Sequence, residues 1–347
     1  MSKRKKKIGI LTAGGDCPGL NAAIRGVGKT AIIEYGMEVI GFRSGYSGLI
    51  NNDYIELKES QLSGILTLGG TILGTSREKP YKLVPNGGEV KHKPEQIVRN
   101  YENLELDALV CIGGNGTMKT ANMLAGEGLN IVGIPKTIDN DVWGTDITFG
   151  FDSAVYIATE AMDRLHTTAN SHQRVMIIEV MGHNAGWLAL YAGSAGGGDI
   201  ILLPEIPYNI RSVCKKIESR YEDNKPYSIV VVAEGIELPE KGSAASYIAN
   251  AISTYTGLET RETVLGYIQR GGSPTPADRI LATRYGFFAA ECIAKQCFGT
   301  MVAVKDNKLL AVPLAEVGGK TRLVEPDNPL IDIARKMGVS FGDEFKL

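Results

Sequence analysis

Ile131-Val132-Gly133-Ile134-Pro135-Lys136-Thr137-Ile138-Asp139-Asn140-Asp141 is the stretch from which the fold is read. Residues 131–134 form an apolar run bounded upstream by Gly126, Gly128 and Asn130, the pattern of a short buried parallel strand. Ligands in open α/β sheets bind just beyond the carboxyl ends of such strands. Residues 135–141 stand at that place with one Lys, one Thr hydroxyl and two carboxylates. Asp139 and Asp141 are two apart, so an extended backbone aims both side chains the same way. A cation, a hydroxyl and paired carboxylates are the parts phosphoryl transfer uses: a charge clamp, a magnesium ligand and a hydroxyl-activating base. The same residues also suit a capped turn, because Thr, Asp and Asn are ordinary turn and N-cap residues. The rest of the chain has to choose between these readings.

Upstream, the strand-turn-helix plan recurs. Residues 7–11 read as a buried strand, followed by Gly14, Gly15 and Gly19 and a helix opening at Asn21. Glycine at such a turn lets backbone N–H groups approach a phosphate, and the helix N-terminus adds its dipole. A tight turn needing positive φ is the alternative there. A second strand over 37–42 ends near Tyr46, and residues 68–76 bring two hydroxyls to Arg77, which suits a phosphate clamp or a plain surface position. Residues 78–95 are polar and broken by Pro and Gly, which predicts an exposed loop. Residues 108–112 then lead into Gly113-Gly114-Asn115-Gly116-Thr117 and another helix. Three strand ends with small, phosphate-compatible residues inside the first 145 positions argue for one shared crevice.

The second half restarts the series. A helix is expected over about 153–167, with strands over 175–180, 200–203 and 228–233. The predicted fold class is α/β, with two similar three-layer α/β/α (Rossmann-like) domains. Arg261, Tyr267 and Arg270 supply guanidiniums and a phenol suited to a sugar phosphate, with Glu234 able to accept from sugar hydroxyls; solvated faces are the plain alternative for each. The last 45 residues carry no chemistry legible at this level.

Composition narrows the classes. The chain has 347 residues and a net charge of −2, which gives no global attraction to nucleic acid or membrane. Basic residues 3–7 read as a solvated lead-in to the first strand. No apolar stretch approaches the roughly 18 residues that span a bilayer, and the start lacks the pattern of a secretory leader. The cysteines, five and scattered without metal-type spacing, predict reduced thiols, a cytoplasmic location and no zinc site.

GGDCPGLNAAIRG (14–26), GGTILGTSR (69–77), GGNGT (113–117), PKTIDND (135–141), SHQR (171–174), EVMGHNAGW (179–187) and TVLGYIQRGGSP (263–274) together form a recognisable series. Over residues 7–310 it resembles the 6-phosphofructokinases, bacterial in type, with donor-site features of both ATP and pyrophosphate enzymes. The resemblance implies a glycolytic kinase acting on fructose 6-phosphate with ATP and Mg²⁺. It implies a donor-binding domain of residues 1–150 with about 265–315, and a fructose 6-phosphate domain of 151–264 with about 316–347. Asp139 becomes the base for the sugar 1-hydroxyl, with Thr137, Lys136 and Gly14 in the catalytic group and Asp141 positioning substrate and magnesium. Gly14, Tyr46, Arg77, Gly114, Asn115, Gly116 and Thr117 would line the donor site, with Asn115 and Asp141 at the metal. Arg174 and Arg261 would hold the 6-phosphate of a neighbouring subunit, which makes the protein a homodimer or homotetramer with shared sites. Tyr267 and Arg270 would meet the same phosphate, and Met181, Gly182, His183 and Glu234 the sugar.

Departures from the family pattern carry their own expectations. Asn115 stands where the family has a carboxylate, so weaker Mg²⁺ affinity is expected. Pyrophosphate users typically carry Asp at position 116 and Lys at 136, whereas many bacterial ATP enzymes carry Gly at both. This chain has Gly116 and Lys136. A carboxylate at 116 would repel a nucleotide α-phosphate and Gly leaves room, so ATP is favoured, with pyrophosphate as the alternative. His183 replaces an Arg, and Lys136 can supply the charge it lacks. The basic effector pocket of relatives is only partly present: Arg25, Lys29 and Glu205 match or approximate it, while His166 and the Asp223-Asn224 pair do not, so weak allosteric control is expected. A weakly catalytic regulatory subunit and a dinucleotide-dependent oxidoreductase remain as rivals. The matching Thr137, Asp139 and Asp141 oppose the first; the lack of a full G-x-G-x-x-G motif opposes the second.

Overall fold

A computed structural model describes residues 4–82, 93–240 and 242–343. Its strands are β1 (Lys7–Thr12), β2 (Glu38–Phe42), β3 (Tyr54–Glu56), β4 (Ala108–Gly113), β5 (Ile131–Pro135), β6 (Val175–Val180), β7 (Ile200–Leu202), β8 (Ser228–Ala233), β9 (Thr260–Val264), β10 (Thr300–Lys305) and β11 (Lys308–Pro313). The fold is α/β, and the chain divides into two compact units. One takes residues up to Thr137, Asp141–Gly150 and Arg270–Thr321; the other takes Ile138–Asn140, Phe151–Gln269 and the chain from Arg322.

The first unit is built on a seven-stranded sheet in the order β11-β10-β5-β4-β1-β2-β3. Its central strands pair in parallel, and only β3 and β11, at the edges, run antiparallel. Every residue of β4 and β5 is buried. Strands covered on both faces lose the polar alternation of half-exposed ones, which is why ALVCIG and IVGIP read as unbroken apolar runs. Leu11, Phe42, Leu109, Met118, Ile131 and Met301 belong to the core that results. The helices Leu20–Ile33 and Pro276–Ala294 cross where Gly26 and Gly286 face each other. A Cβ on Gly286 would stand 2.5 Å from the Ala23 carbonyl, and one on Gly26 would stand 2.8 Å from that of Thr283. Only glycine permits that backbone approach.

The second unit holds a wholly parallel sheet in the order β7-β8-β6-β9. β8 is buried throughout, whereas β9 is the largely exposed edge. The helix expected over 153–167 runs Phe151–His172. β3, β9, β10 and β11 are not evident in the sequence: β3 is three residues long, β9 is largely exposed, and β10 and β11 form a hairpin. Most of the loop expected over 78–95 falls on residues 83–92, outside the described residues, and its last positions begin the helix Lys93–Asn103. Lys3 of the basic lead-in is also outside them. Arg4 is tied down rather than merely solvated, with its guanidinium 2.8 Å from Asp107.

Candidate active site

In the first unit β1 lies between β2 and β4, so the chain's connections diverge at the β1–β4 pair, the switch point where α/β sheets bind ligands. Gly14 follows β1 with φ +86°. Its N–H donates to the Ser76 carbonyl at 2.9 Å, and its carbonyl accepts from Thr75 Oγ1 at 2.7 Å. The segment 75–76 thus fixes the turn, and Arg77 stands exposed just after it. Beyond β4, Gly114 precedes the helix Asn115–Gly126 without a capping side chain. Thr117 is buried and directs its hydroxyl to the Ala13 carbonyl, 3.4 Å away. A Cβ added at Gly116 meets nothing within 4 Å, so open space faces the start of this helix.

Tyr46 is placed differently from expectation. It is 1 % exposed and donates its hydroxyl to the Thr117 carbonyl at 3.1 Å, so it supports the helix start from behind rather than lining an open cleft. Burial pushes its phenol well above the usual range and so keeps it protonated as that donor.

Lys136 follows β5 and is 3 % exposed. Its backbone N–H donates to the Gly113 carbonyl at 3.0 Å, and its ammonium donates to the Gly15 carbonyl. A Cβ built on Gly14 would lie 3.9 Å from both Lys136 Nζ and Thr117 Oγ1. The Arg270 guanidinium also packs on this turn, since a Cβ on Gly15 would stand 2.6 Å from its Nη1. Arg270, expected with Tyr267 at a sugar phosphate, thus lies beside Gly15, the residue whose carbonyl takes the Lys136 ammonium. Two cations converge on one Gly-rich turn, which is what charge-stabilised transfer of an anionic group needs.

Across the same end of the sheet, Asn115 Nδ2 donates to Asp141 Oδ2 at 2.9 Å and to the Asp141 carbonyl at 3.2 Å. Asn115 Oδ1 is buried without a hydrogen-bond partner in the protein. Among the described residues no group of three or more His, Cys, Asp and Glu could hold a metal unaided. A hard oxygen beside one carboxylate fits the Mg²⁺ mode in which substrate phosphates and waters complete the shell.

In the second unit, Met181, Gly182, His183 and Glu234 gather at the carboxyl ends of the neighbouring strands β6 and β8. The Met181 N–H donates to Gln269 Oε1 at 2.9 Å, and the His183 N–H donates to Glu234 Oε1 at 2.8 Å. Gln269, fully buried, was not anticipated; its place between Tyr267 and Arg270 was the available signal. Tyr267 projects from the short 3-10 helix Gly266–Arg270 and is 71 % exposed. Asp139 and Asn140 also belong to this unit, with Asn140 at φ +52°.

Arg174 and Arg261 lie elsewhere. Arg174 directly precedes β6, and Arg261 pairs in register with Met176 near the β6 start. Met181 directly follows β6. The six residues of that strand put about 20 Å between the two ends at roughly 3.3 Å per residue. Glu259 joins the two arginines: its carboxylate takes Arg174 Nε at 2.8 Å and also pairs with Arg261. The Arg174 hydrogen bond, with the charges of both arginines, holds this carboxyl below its ordinary range.

Of the residues compared with an effector pocket, Glu205 and His166 are engaged by groups within the protein. Glu205 accepts from the Gly186 N–H at 2.8 and 3.1 Å and from the Val324 N–H at 2.9 Å. His166 bonds the Gly196 carbonyl at 2.7 Å and the Tyr227 hydroxyl at 3.2 Å, and Lys29 lies 3.8 Å from Glu59.

A family model described as phosphofructokinase matches residues 7–293. The chain is 61 % identical to a Bacteroides thetaiotaomicron protein named ATP-dependent 6-phosphofructokinase 3, over 97 % of this chain and all of that one. It is 55 % identical to a Spirochaeta thermophila protein named ATP-dependent 6-phosphofructokinase, over 97 % of this chain and 98 % of the relative. Among solved structures, the phosphofructokinase of Saccharomyces cerevisiae superposes with a TM-score of 0.82 at 32 % identity. That match covers 90 % of this chain and 45 % of the yeast chain.

Proposed function

The chain belongs to the phosphofructokinase family, and from that premise we propose that it is an ATP-dependent 6-phosphofructokinase, transferring the γ-phosphoryl group of ATP to the 1-hydroxyl of fructose 6-phosphate. The observation that carries the donor assignment is the open space at Gly116, at the start of the helix Asn115–Gly126. A nucleotide needs that room, and a carboxylate there would deny it by bulk and charge. Curated relatives at 45–61 % identity over nearly the whole chain, all named ATP-dependent 6-phosphofructokinases, support the same reading.

Each group then has a chemical role. The Gly14–Gly15 turn and the first N–H groups of the helix Asn115–Gly126 receive the donor phosphates, since an uncapped helix start is an anion site. Lys136 and Arg270 supply fixed positive charge where negative charge spreads in the transition state. Asp139 accepts the proton of the sugar 1-hydroxyl as the oxygen attacks, while Thr137 orients that acceptor. Met181, His183 and Glu234 hold the sugar. Asn115 Oδ1 and the Asp141 carboxylate would hold Mg²⁺, which when bound neutralises charge on the donor phosphates. Burial of the Lys136 stem keeps its ammonium in one place, so it acts as positioned charge rather than a mobile counter-ion.

Arg174 and Arg261 are proposed to serve a neighbouring subunit's site, a reading supported by the scale of about 20 Å that separates them from Met181 within one sheet. On this proposal a 6-phosphate held beside Met181 draws these arginines from another copy, in a closed homo-oligomer. The cytoplasm is its proposed location; no helix among the described residues is long and apolar enough to cross a membrane. The pyrophosphate alternative rests on Lys136 alone, a cation that either donor can use.

The test is formation of fructose 1,6-bisphosphate from fructose 6-phosphate, ATP and Mg²⁺ by wild type and Asp139→Asn. Turnover by wild type, reduced by about 10²-fold or more in the variant, is expected for loss of a general base. An equally active variant would remove Asp139 from that role.

A further inference from the structure

The catalytic loop is held by a part of the chain in which the sequence shows no motif. Arg322, in the segment after the last sheet strand, donates Nη1–H to the Asn140 carbonyl at 3.1 Å. Asn140 is 3 % exposed and carries φ +52°, in the left-handed region that Asn enters more readily than other non-glycine residues. It sits between Asp139 and Asp141, so its backbone direction sets where both carboxylates point. The residue before Arg322 helps independently: Thr321 forms an antiparallel bridge with Val142. Residues 321–322 thus run alongside 140–142.

Arg322 is itself fixed from two sides. Its guanidinium carbon lies 4.0 Å from the centroid of the Trp187 ring, and the Trp187 indole N–H donates to the Arg322 carbonyl at 3.0 Å. Trp187 is 5 % exposed and opens the helix Trp187–Ala195. Glu205 binds the Gly186 N–H on one side and the Val324 N–H on the other, so one carboxylate joins the start of that helix to the segment carrying Arg322. A planar guanidinium can stack on an indole and donate in its own plane at once, which an ammonium cannot do.

We propose that Arg322 is a positioning residue for Asp139, holding the Asn140 carbonyl so that the base stays aimed at the sugar 1-hydroxyl. The aim of Asp139 rests on the proposed kinase reading; the brace on the loop does not. Met181, His183 and Glu234, the proposed holders of the sugar, lie outside the loop that Arg322 braces, so the expected loss falls on turnover. Losing a charge-assisted hydrogen bond of this kind corresponds to about a tenfold or greater fall in kcat, with KM for fructose 6-phosphate within about twofold of wild type.

The experiment compares wild type, Arg322→Ala and Arg322→Lys in kinetics and in hydrogen exchange over residues 135–145. We expect a kcat-selective loss in both variants, partial recovery of Arg322→Ala by millimolar guanidinium but not by ammonium, and faster exchange across the loop. Wild-type kcat in Arg322→Lys or in Arg322→Ala, or KM rising with kcat unchanged, overturns the assignment. Should Arg322→Ala fail to fold, Arg322→Lys decides by the same kinetic split. If wild type proves inactive with every donor, the kinase reading fails, and loop exchange alone then decides whether Arg322 is a brace: faster exchange upholds it and unchanged exchange overturns it.

Discussion

Replacing Asn115 by Asp puts a carboxylate where an amide now donates to Asp141 Oδ2 across 2.9 Å. The hydrogen bond to a charged partner, about 1.5–3 kcal/mol, disappears. Two unit charges at 2.9 Å repel by roughly 6 kcal/mol at an effective dielectric of about 20. Side-chain movement to about 4 Å or partial protonation lowers that to roughly 4 kcal/mol or less. In EDTA the variant should therefore melt on the order of 5 °C or more below wild type. Repulsion requires both carboxyls ionised and raises their pKa. The repulsive part of the deficit is accordingly absent in acid and grows as pH rises through the carboxylate range. Adding Mg²⁺ reverses the sign, because two carboxylates and a hard cation attract. Saturating Mg²⁺ should return Tm to wild type or above it, and the Mg²⁺ needed for half-maximal activity should fall about tenfold. Differential scanning fluorimetry across a Mg²⁺ series, with parallel kinetics, reads both. A variant with unchanged Tm in EDTA and unchanged Mg²⁺ dependence would refute the placement of the metal between these residues.

The other sites make separate predictions. Lys136→Ala removes a buried cation from the Gly14–Gly15 turn and should lower kcat more than it raises KM for fructose 6-phosphate; the reverse would assign Lys136 to ground-state binding. Gly116→Asp should cut kcat/KM for ATP by about 10²-fold or more while sparing pyrophosphate, as measured in parallel donor titrations. Mixing Asp139→Asn subunits with Arg174→Ala subunits should restore part of the activity that each lacks alone, since one intact site forms in the mixed oligomer; no recovery would place Arg174 within its own subunit's site. Saturation by fructose 6-phosphate should be hyperbolic and little changed by ADP or phosphoenolpyruvate, because Glu205 and His166 are engaged by backbone groups. Sigmoidal curves relieved by ADP would contradict that.

What the sequence reveals follows the range over which each signal acts. Buried parallel strands such as β4 and β5 leave unbroken apolar runs, and the glycines beyond them mark turns, so the switch point near Gly14 and Gly113 is legible from local pattern. Edge strands β9 and β11 are not, because exposed or half-covered strands resemble their surroundings, and β10, though largely buried, is a short run with no glycine-marked turn beyond it. Lys136, Asp139 and Asp141 stand out as candidates because they share one short loop. Arg322 is missed because its partners, Asn140 and Trp187, are more than 130 positions away and no local pattern records them. Tyr46 shows the opposite failure: a motif-compatible residue was expected at an open cleft, but an aromatic ring gains more by burial, and its hydroxyl is satisfied by the Thr117 carbonyl. Glu259 lay within reach of reading, since it precedes Arg261 by two residues, a spacing that shares one face of a strand.

The most direct test of the account is the initial rate with fructose 6-phosphate and Mg²⁺, measured with ATP and with pyrophosphate at equal concentrations. The account predicts a kcat/KM at least about tenfold higher for ATP, because Gly116 leaves room for the nucleotide and Lys136 serves either donor. A preference for pyrophosphate would give Lys136 the deciding role and contradict the steric argument at Gly116.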